Sequence, residues 1–270
     1  MLILSIDVGI KNLGYCLLET NSEDKNYTIQ QWDSVNLCGA EVTCSECKKK
    51  AVYCLPSAEI LYCPQHAKKA AGYFLPAEQK AIKKMSPEEL QEFALKHTID
   101  ISLVTNKKTA LKTCILSAIE SRILQEVKKH ESASTINLVK VGMAIQTHFD
   151  QVLHDIGPID HVIIENQISP IANRMKTVQG MLAQYFIMRG QTNIVFVSSA
   201  NKLKGYEHII EKKAEGSKMT YSDRKKAGIK VTQTLLSAIA YNMDYFNKHK
   251  KKDDLADSFL QGVWYIHKVI

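Results

Sequence analysis

No stretch of this chain stays apolar for the roughly 18 residues that a membrane-crossing helix requires. The opening residues, Met1 to Asp7, read as a strand. They carry no basic n-region, no cleavage site and no Arg-rich amphipathic helix, the marks of a targeted chain. A soluble intracellular protein is therefore expected, with no membrane partner. Nothing repeats at a fixed period, and no low-complexity linker cuts the chain. Also missing is a second glycine-rich phosphate loop to accompany Asp7-Val8-Gly9, which speaks against an actin-like ATPase or a sugar kinase.

What is present sets other bounds. With 270 residues and 45% hydrophobic content, the chain can bury a sizeable core, as one large domain or one domain with an insertion. A formal charge of +7 favours an anionic partner, nucleic acid first among the candidates. Of 7 cysteines, Cys44, Cys47, Cys54 and Cys63 fall close together, which reads as metal binding and not as a disulfide framework. Cys16, Cys38 and Cys114 read as ordinary buried or half-buried thiols.

Leu2 to Asp7 is a short apolar run ending in an acid. Gly9 and Gly14 allow a tight turn, Tyr15 to Glu19 resume a strand, and Tyr27 to Val35 form a third. Asp7 is either a turn-capping aspartate or a functional acid. His161 to Ile164 is an apolar core-strand pattern, covered on both faces, and it also ends in an acid, Glu165. Near the end of the chain, Asp254 and Asp257 stand three residues apart on one face of a helix expected over Lys250 to Val269. Grouped acids at a buried helix start are costly unless a positive charge sits between them. Adjacent parallel strands would set Asp7 beside Glu165, with the last helix lowering its pair onto them. Four carboxylates without His or Cys favour a hard cation, Mg²⁺ or Mn²⁺. Two such ions per site can activate water and stabilise the leaving oxygen of a phosphodiester. On a basic chain this points to a nuclease.

Residues 37–100 interrupt the pattern. Cys44-x-x-Cys47, a gap, then Cys63-x-x-His66 has the spacing of a four-ligand structural zinc site around a small hairpin, with Cys54 able to replace one member. Helices are expected from Ser86-Pro87, over Lys107 to Lys129, over Thr135 to Leu153, from Ser169-Pro170 to about Arg189, and from Tyr221 to about Ala240. Asn193 to Val197 reads as a strand, and Gly205 to Ser217 as a loop. Arg174 and Lys176, on a basic and amide-rich helix start, suit phosphate contact or a solvated face. Lys251 and its lysine run do likewise. Lys11, Asn12, Arg224 and Lys225 complete the candidate nucleic-acid contacts.

The stretches Ile6 to Gly14, Ile163 to Gln167, Arg174-Met175-Lys176 and Lys251 to Ser258 together resemble the RuvC-like Holliday-junction resolvases. The branch they resemble is that of poxviruses and related large DNA viruses, with fungal mitochondrial resolvases nearby. The resemblance implies an α/β ribonuclease H-like fold, a mixed five-stranded sheet flanked by helices. It also implies a homodimer that makes paired symmetrical nicks in branched DNA with Mg²⁺. By that likeness Asp7, Glu165, Asp254 and Asp257 match the acidic metal ligands, and Lys202 resembles a basic active-site residue. Residues 1–36 and 101–270 would form the nuclease core and 37–100 an inserted zinc-ribbon-like module, which is no part of the usual compact resolvase. The working place would be a viral factory or nucleus of an infected cell, with a mitochondrion as the other option. Another ribonuclease H-like nuclease, acting on RNA/DNA hybrids or of transposase type, is the same-fold alternative. A catalytically silent DNA-binding scaffold is a third.

Overall fold

The structure, a computed structural model, describes residues 1–21, 23–39, 42–127, 131–168, 173–210, 219–239, 241 and 243–270. In chain order the strands are β1 (Leu2–Asp7), β2 (Leu13–Thr20), β3 (Tyr27–Val35), β4 (Tyr53–Leu55), β5 (Ile60–Tyr62), β6 (Gln125–Glu126), β7 (His161–Glu165) and β8 (Ile194–Val197). The helices are α1 (Pro64–Lys69), α2 (Pro76–Ile82), α3 (Pro87–Lys96), α4 (Lys108–Ile119), α5 (Leu138–Val152), α6 (Asn173–Met188), α7 (Tyr221–Ala238), α8 (Met243–Lys248) and α9 (Lys252–Lys268). They divide into two compact units, Met1–Gly39 with Glu131–Ile270, and Ala40–His130.

In the first unit the sheet runs β3-β2-β1-β7-β8. β1 pairs antiparallel with β2 and parallel with β7, and β7 is parallel to β8. The twofold alternation of strand side chains decides which residues meet which helix. Leu4 and Ile6 point to the face covered by Ile145 and Phe149 of α5 and Leu182 and Phe186 of α6. Ile3, Cys16 and Ile163 point to the other face, under Val231 of α7 and Leu255, Phe259 and Val263 of α9. By the same parity Asp7 shares the face of Ile3, and Glu165 shares that of Ile163. Both acids therefore emerge under α9.

Two glycines allow α9 to lie so close. A Cβ on Gly14, opposite Asp7 in the β1–β2 register, would stand 2.4 Å from the backbone oxygen of Asp254. A Cβ on Gly262 would come within 2.6 Å of Leu18 and 3.2 Å of the Ser5 Cβ. Buried Gln261 then ties helix to sheet. Its Nε2 donates to Ser5 Oγ (3.2 Å), to Ile6 O (3.2 Å) and, more loosely, to Ile163 O (3.5 Å).

The second unit pairs a β5-β4-β6 sheet with four helices. α3 begins as its sequence predicts: Ser86 accepts from Glu89 N (3.2 Å), Glu89 accepts from Ser86 N (2.7 Å), and Pro87 opens the helix. The helix expected over Lys107 to Lys129 is shorter. α4 ends at Ile119, a single 3₁₀ turn follows, and Gln125–Glu126 pair with β4. Leu111, Ile115 and Ile119 of α4 pack on Leu90 and Ala94 of α3. This compact unit therefore reaches well past residue 100, where the sequence reading returned to the nuclease core. A helix pattern cannot tell which core its apolar stripe will face. The expected helix start at Ser169-Pro170 and the end of the expected 205–217 loop lie outside the described residues.

Candidate active site

Asp7 ends β1 and Glu165 ends β7, two parallel neighbours whose register brings Ile6 beside Ile164. Asp254 and Asp257 sit in the first two turns of α9. All four line one cavity of about 620 Å³, together with Asn12, Gln167, Lys202, Tyr221, Arg224 and Lys225. Acids separated by up to 250 positions thus face one space, because a parallel crossover puts both strand ends on the same edge and α9 crosses above it.

Lys202, just beyond β8 and only 5% exposed, reaches into the group. Its Nζ lies 2.7 Å from Asp7 Oδ1, 3.3 Å from Glu165 Oε1 and 3.4 Å from Asp257 Oδ2. Burial opposes the ammonium charge, yet Asp7, Asp257 and Glu165 together hold its pKa well above the usual lysine range. One cation does not balance four acids. Burial, with Asp7 close by, pushes Glu165 up to about 7. Burial pushes Asp254 up to about 6, helped by Asp253 and Asp7. Asp257 also rises to about 6, through burial, against the pull of Lys202. The buried Oδ2 of Asp254 has no hydrogen-bond partner among the described residues. An all-carboxylate set with an orphaned oxygen, its acids pushed up toward neutrality by burial, fits a hard divalent cation.

Asp253 takes another path. It pairs with Lys225, which also lies over the Tyr221 ring at 5.0 Å, and this partner holds the Asp253 carboxyl low despite burial. Asp254 faces the cavity instead, as the Asp-x-x-Asp spacing requires. Among the expected nucleic-acid contacts, Arg224 lines the cavity and is exposed. Asn12 lines it too, and with its amide oxygen turned outward accepts from Lys251 Nζ at 3.1 Å. Lys11 and Lys176 are exposed. Arg174 is half-buried, and its guanidinium donates to the carbonyls of Ala133 (3.1 Å) and Ile136. These bonds use two of its five N–H groups and tie the side chain to the protein.

The sequence reading missed two site residues. Gln167 donates to Glu165 Oε2 (2.8 Å), and its own N–H donates to Gln179 Oε1 (2.8 Å), fixing the carboxylate from behind. Gln261 lies one turn past Asp257, and its one signal is a polar residue on an otherwise apolar helix face.

In the second unit the ligand atoms of Cys44, Cys47, Cys63 and His66 all lie within 4.8 Å of one another. Cys47 Sγ and Cys63 Sγ are 3.8 Å apart, and Cys44 Sγ is 3.3 Å from His66 Nδ1. Zn–S bonds of about 2.3 Å at tetrahedral angles set an S···S edge of roughly 3.8 Å. The donor set therefore fits zinc. Hydrogen bonds from the Cys63 and Cys47 backbone and from His66 bring Cys44 down to about 6 against burial, which favours the thiolate a metal needs. Cys54 lies on β4 opposite Leu61, outside this group.

A mixed five-stranded sheet with acids at its parallel strand ends and a carboxylate-bearing helix across them is a ribonuclease H-like nuclease core. The chain belongs to the family described as mitochondrial resolvase Ydc2 / RNA splicing MRS1, whose model matches residues 3–168, and residues 120–268 match the model of the Poxvirus A22 protein. An uncharacterised protein, L451, of Acanthamoeba polyphaga mimivirus is 28% identical over 100% of this chain and 75% of its own length. The crystal structure of the yeast mitochondrial Holliday junction resolvase Ydc2 overlaps at a TM-score of 0.44 and 14% identity, over 98% of this chain and 77% of that one. The fowlpox virus Holliday junction resolvase overlaps at 0.43 and 14%, over 100% of both chains. These overlaps are loose, and membership rests on the sequence matches.

Proposed function

We propose that this endonuclease resolves four-way DNA junctions by metal-dependent phosphodiester hydrolysis. Asp7, Glu165, Asp254 and Asp257 would hold two hard divalent ions, Mg²⁺ or Mn²⁺. When bound, such ions supply an activated water and stabilise the leaving oxygen of the scissile phosphate. The observation that carries this reading is the meeting of four acids from three elements at one cavity wall, with one buried oxygen left unpartnered.

The chain's own residues prepare that cavity. Lys202 holds three acids together by its contacts of 2.7–3.4 Å and sets a fixed positive charge beside the attacked phosphate. Gln167 fixes the rotamer of Glu165. Arg224, Tyr221 and Lys225 form the α7 wall, where a DNA backbone would meet donors before it meets acids. Paired symmetrical nicks require two sites related by a twofold axis, so the working form is a homodimer. Cys44, Cys47, Cys63 and His66 hold one structural zinc in the second unit. Its working place would be a viral factory or the nucleus of an infected cell, with a mitochondrion as the other option.

The family description pairs a resolvase with an RNA-splicing protein, so membership alone does not choose between cutting and binding. An intact acid set favours cutting. The test is side-by-side nicking of a mobile four-way junction, an RNA/DNA hybrid and a plain duplex in Mg²⁺. Paired nicks confined to the junction are expected. Equal cutting of the hybrid, or tight RNA binding without any nicking, would overturn the proposal.

A further inference from the structure

The second unit carries a charge that the active site does not use. Between residues 40 and 130 there are 15 Lys and Arg against 10 Asp and Glu, which leaves +5 of the chain's +7 on about a third of its length. Within that unit the charge gathers at the cysteine cluster. Lys48, Lys49 and Lys50 follow Cys47 directly, and Lys68 and Lys69 stand two and three residues past His66 on α1.

The fold brings these two runs together. Cys44 N donates to Lys49 O (2.7 Å) and Lys48 N to Cys44 O (3.1 Å), closing a tight knuckle in which Lys48 adopts φ 57°. The four ligand atoms, within 4.8 Å of one another, pin this knuckle against the start of α1. Lys49 Nζ reaches across to Gln65 Oε1 (3.2 Å), a neutral partner. All five lysines are exposed, and among the described residues none forms an ion pair with a carboxylate. Five like charges on a cross-linked surface repel one another. An arrangement of that kind gains when a polyanion's counterions are released to it.

We propose that the zinc-stapled knuckle of Lys48, Lys49, Lys50, Lys68 and Lys69 is a second DNA-binding site, which grips the phosphate backbone of duplex DNA independently of base sequence. The metal's part is to hold two short lysine-bearing segments in one rigid surface, so that little ordering entropy is lost on binding. Recognition of this kind adds affinity without touching the scissile phosphate.

The test uses the full chain with all five lysines changed to glutamine, beside a matching variant with all five changed to arginine. Binding to a labelled four-way junction and to a plain duplex of equal arm length is measured across a salt series, with zinc content checked for each variant. For the glutamine variant a dissociation constant raised tenfold or more on both DNAs is expected, with a salt slope shallower by about 0.9 for each lost phosphate contact. The arginine variant should bind as the parent does, and nicking at saturating DNA should be unchanged in both. Unchanged affinity and slope in a zinc-loaded glutamine variant would overturn the proposal, and so would a parent chain that binds neither DNA. Should the fivefold variant lose its zinc, Lys68→Gln with Lys69→Gln carries the same test, with about threefold weakening expected and none overturning it. Because the readout is binding, it succeeds or fails separately from junction nicking.

Discussion

The first unit buries both faces of its sheet, with Leu4, Ile6, Phe149 and Phe186 on one side and Ile163, Phe259 and Val263 on the other, and keeps its acids at the strand ends. Among its described residues the second unit shows no such layered core. Its apolar residues form one small cluster among helices, around Leu90, Leu111 and Ile115, and another around Cys44, Cys63 and Tyr62. A unit of that size with divided cores gains much of its stability from a staple. The two candidate metal centres differ accordingly. Hard ions at the acids would act first on chemistry, adding to stability only by binding the folded form. Zinc at the cysteines would act on folding and not on chemistry.

The sharpest break of that comparison is Asp7→Asn or Asp257→Asn. Single-turnover nicking of a four-way junction should fall by ~10³-fold or more, since a charge at the reacting centre is lost. Junction binding should stay within a few-fold of the parent, and retained nicking in both variants would remove the metal assignment. The reciprocal perturbation is Cys63→Ala or a zinc chelator. One zinc per chain should be lost, and limited proteolysis should open residues 42–127. Both tryptophans, Trp32 and Trp264, lie in the first unit, so their fluorescence should not move. A tryptophan shift on chelation would mean that the units do not fold separately.

Gly14→Ala probes how tightly α9 must approach. The added methyl would meet the Asp254 carbonyl at 2.4 Å, so a loss of about 1–3 kcal/mol in chemical denaturation is expected. A larger proportional loss of nicking should accompany it, because the helix carrying Asp254 and Asp257 is displaced. A stability loss with normal nicking would place those acids outside the working site.

Acidity distinguishes the two centres further. Glu165 at about 7, with Asp254 and Asp257 at about 6, binds more protons in the folded than in the unfolded chain between roughly pH 4 and 7. Metal-free stability held by these protons is present below that window and is lost as pH rises through it. Metal binding needs the ionised forms, so the Mg²⁺-induced rise in Tm should grow from pH 5.5 to 8 while metal-free Tm declines. A Mg²⁺ effect independent of pH would exclude these three acids as ligands. The mildest expected effect is that of Gln261→Met. Its Oε1 is already unpartnered, so removing the amide should change stability by only about 1 kcal/mol. The apparent Mg²⁺ affinity in nicking assays should nevertheless fall about tenfold, because the amide registers α9 against Ser5 and Ile6.

The two centres were also unequally legible. Cys44, Cys47, Cys63 and His66 lie within 23 positions, and tight turns bring i and i+3 ligands together whatever surrounds them, so their spacing was enough. Asp7 and Glu165 were visible as acids ending apolar strands, and Asp254 and Asp257 as a helical pair. Arg174 looked the same as any basic helix residue, and only packing revealed that it also reaches the carbonyls of Ala133 and Ile136. Gln167 was not legible, since nothing local distinguishes a glutamine facing a carboxylate from one facing water, and Gln261 showed only as a polar residue on an apolar helix face.

By itself the sequence determined the strand alternation, the helix start at Ser86, the metal-type spacing and the existence of four distant acids, because each follows from periods and turns of a few residues. Tertiary structure alone decided that Gln167 backs Glu165, that Asp253 pairs with Lys225, and that α4 joins the second unit. Those outcomes depend on which surfaces meet after the chain has closed on itself, and contacts between separate elements leave no period in the sequence to read.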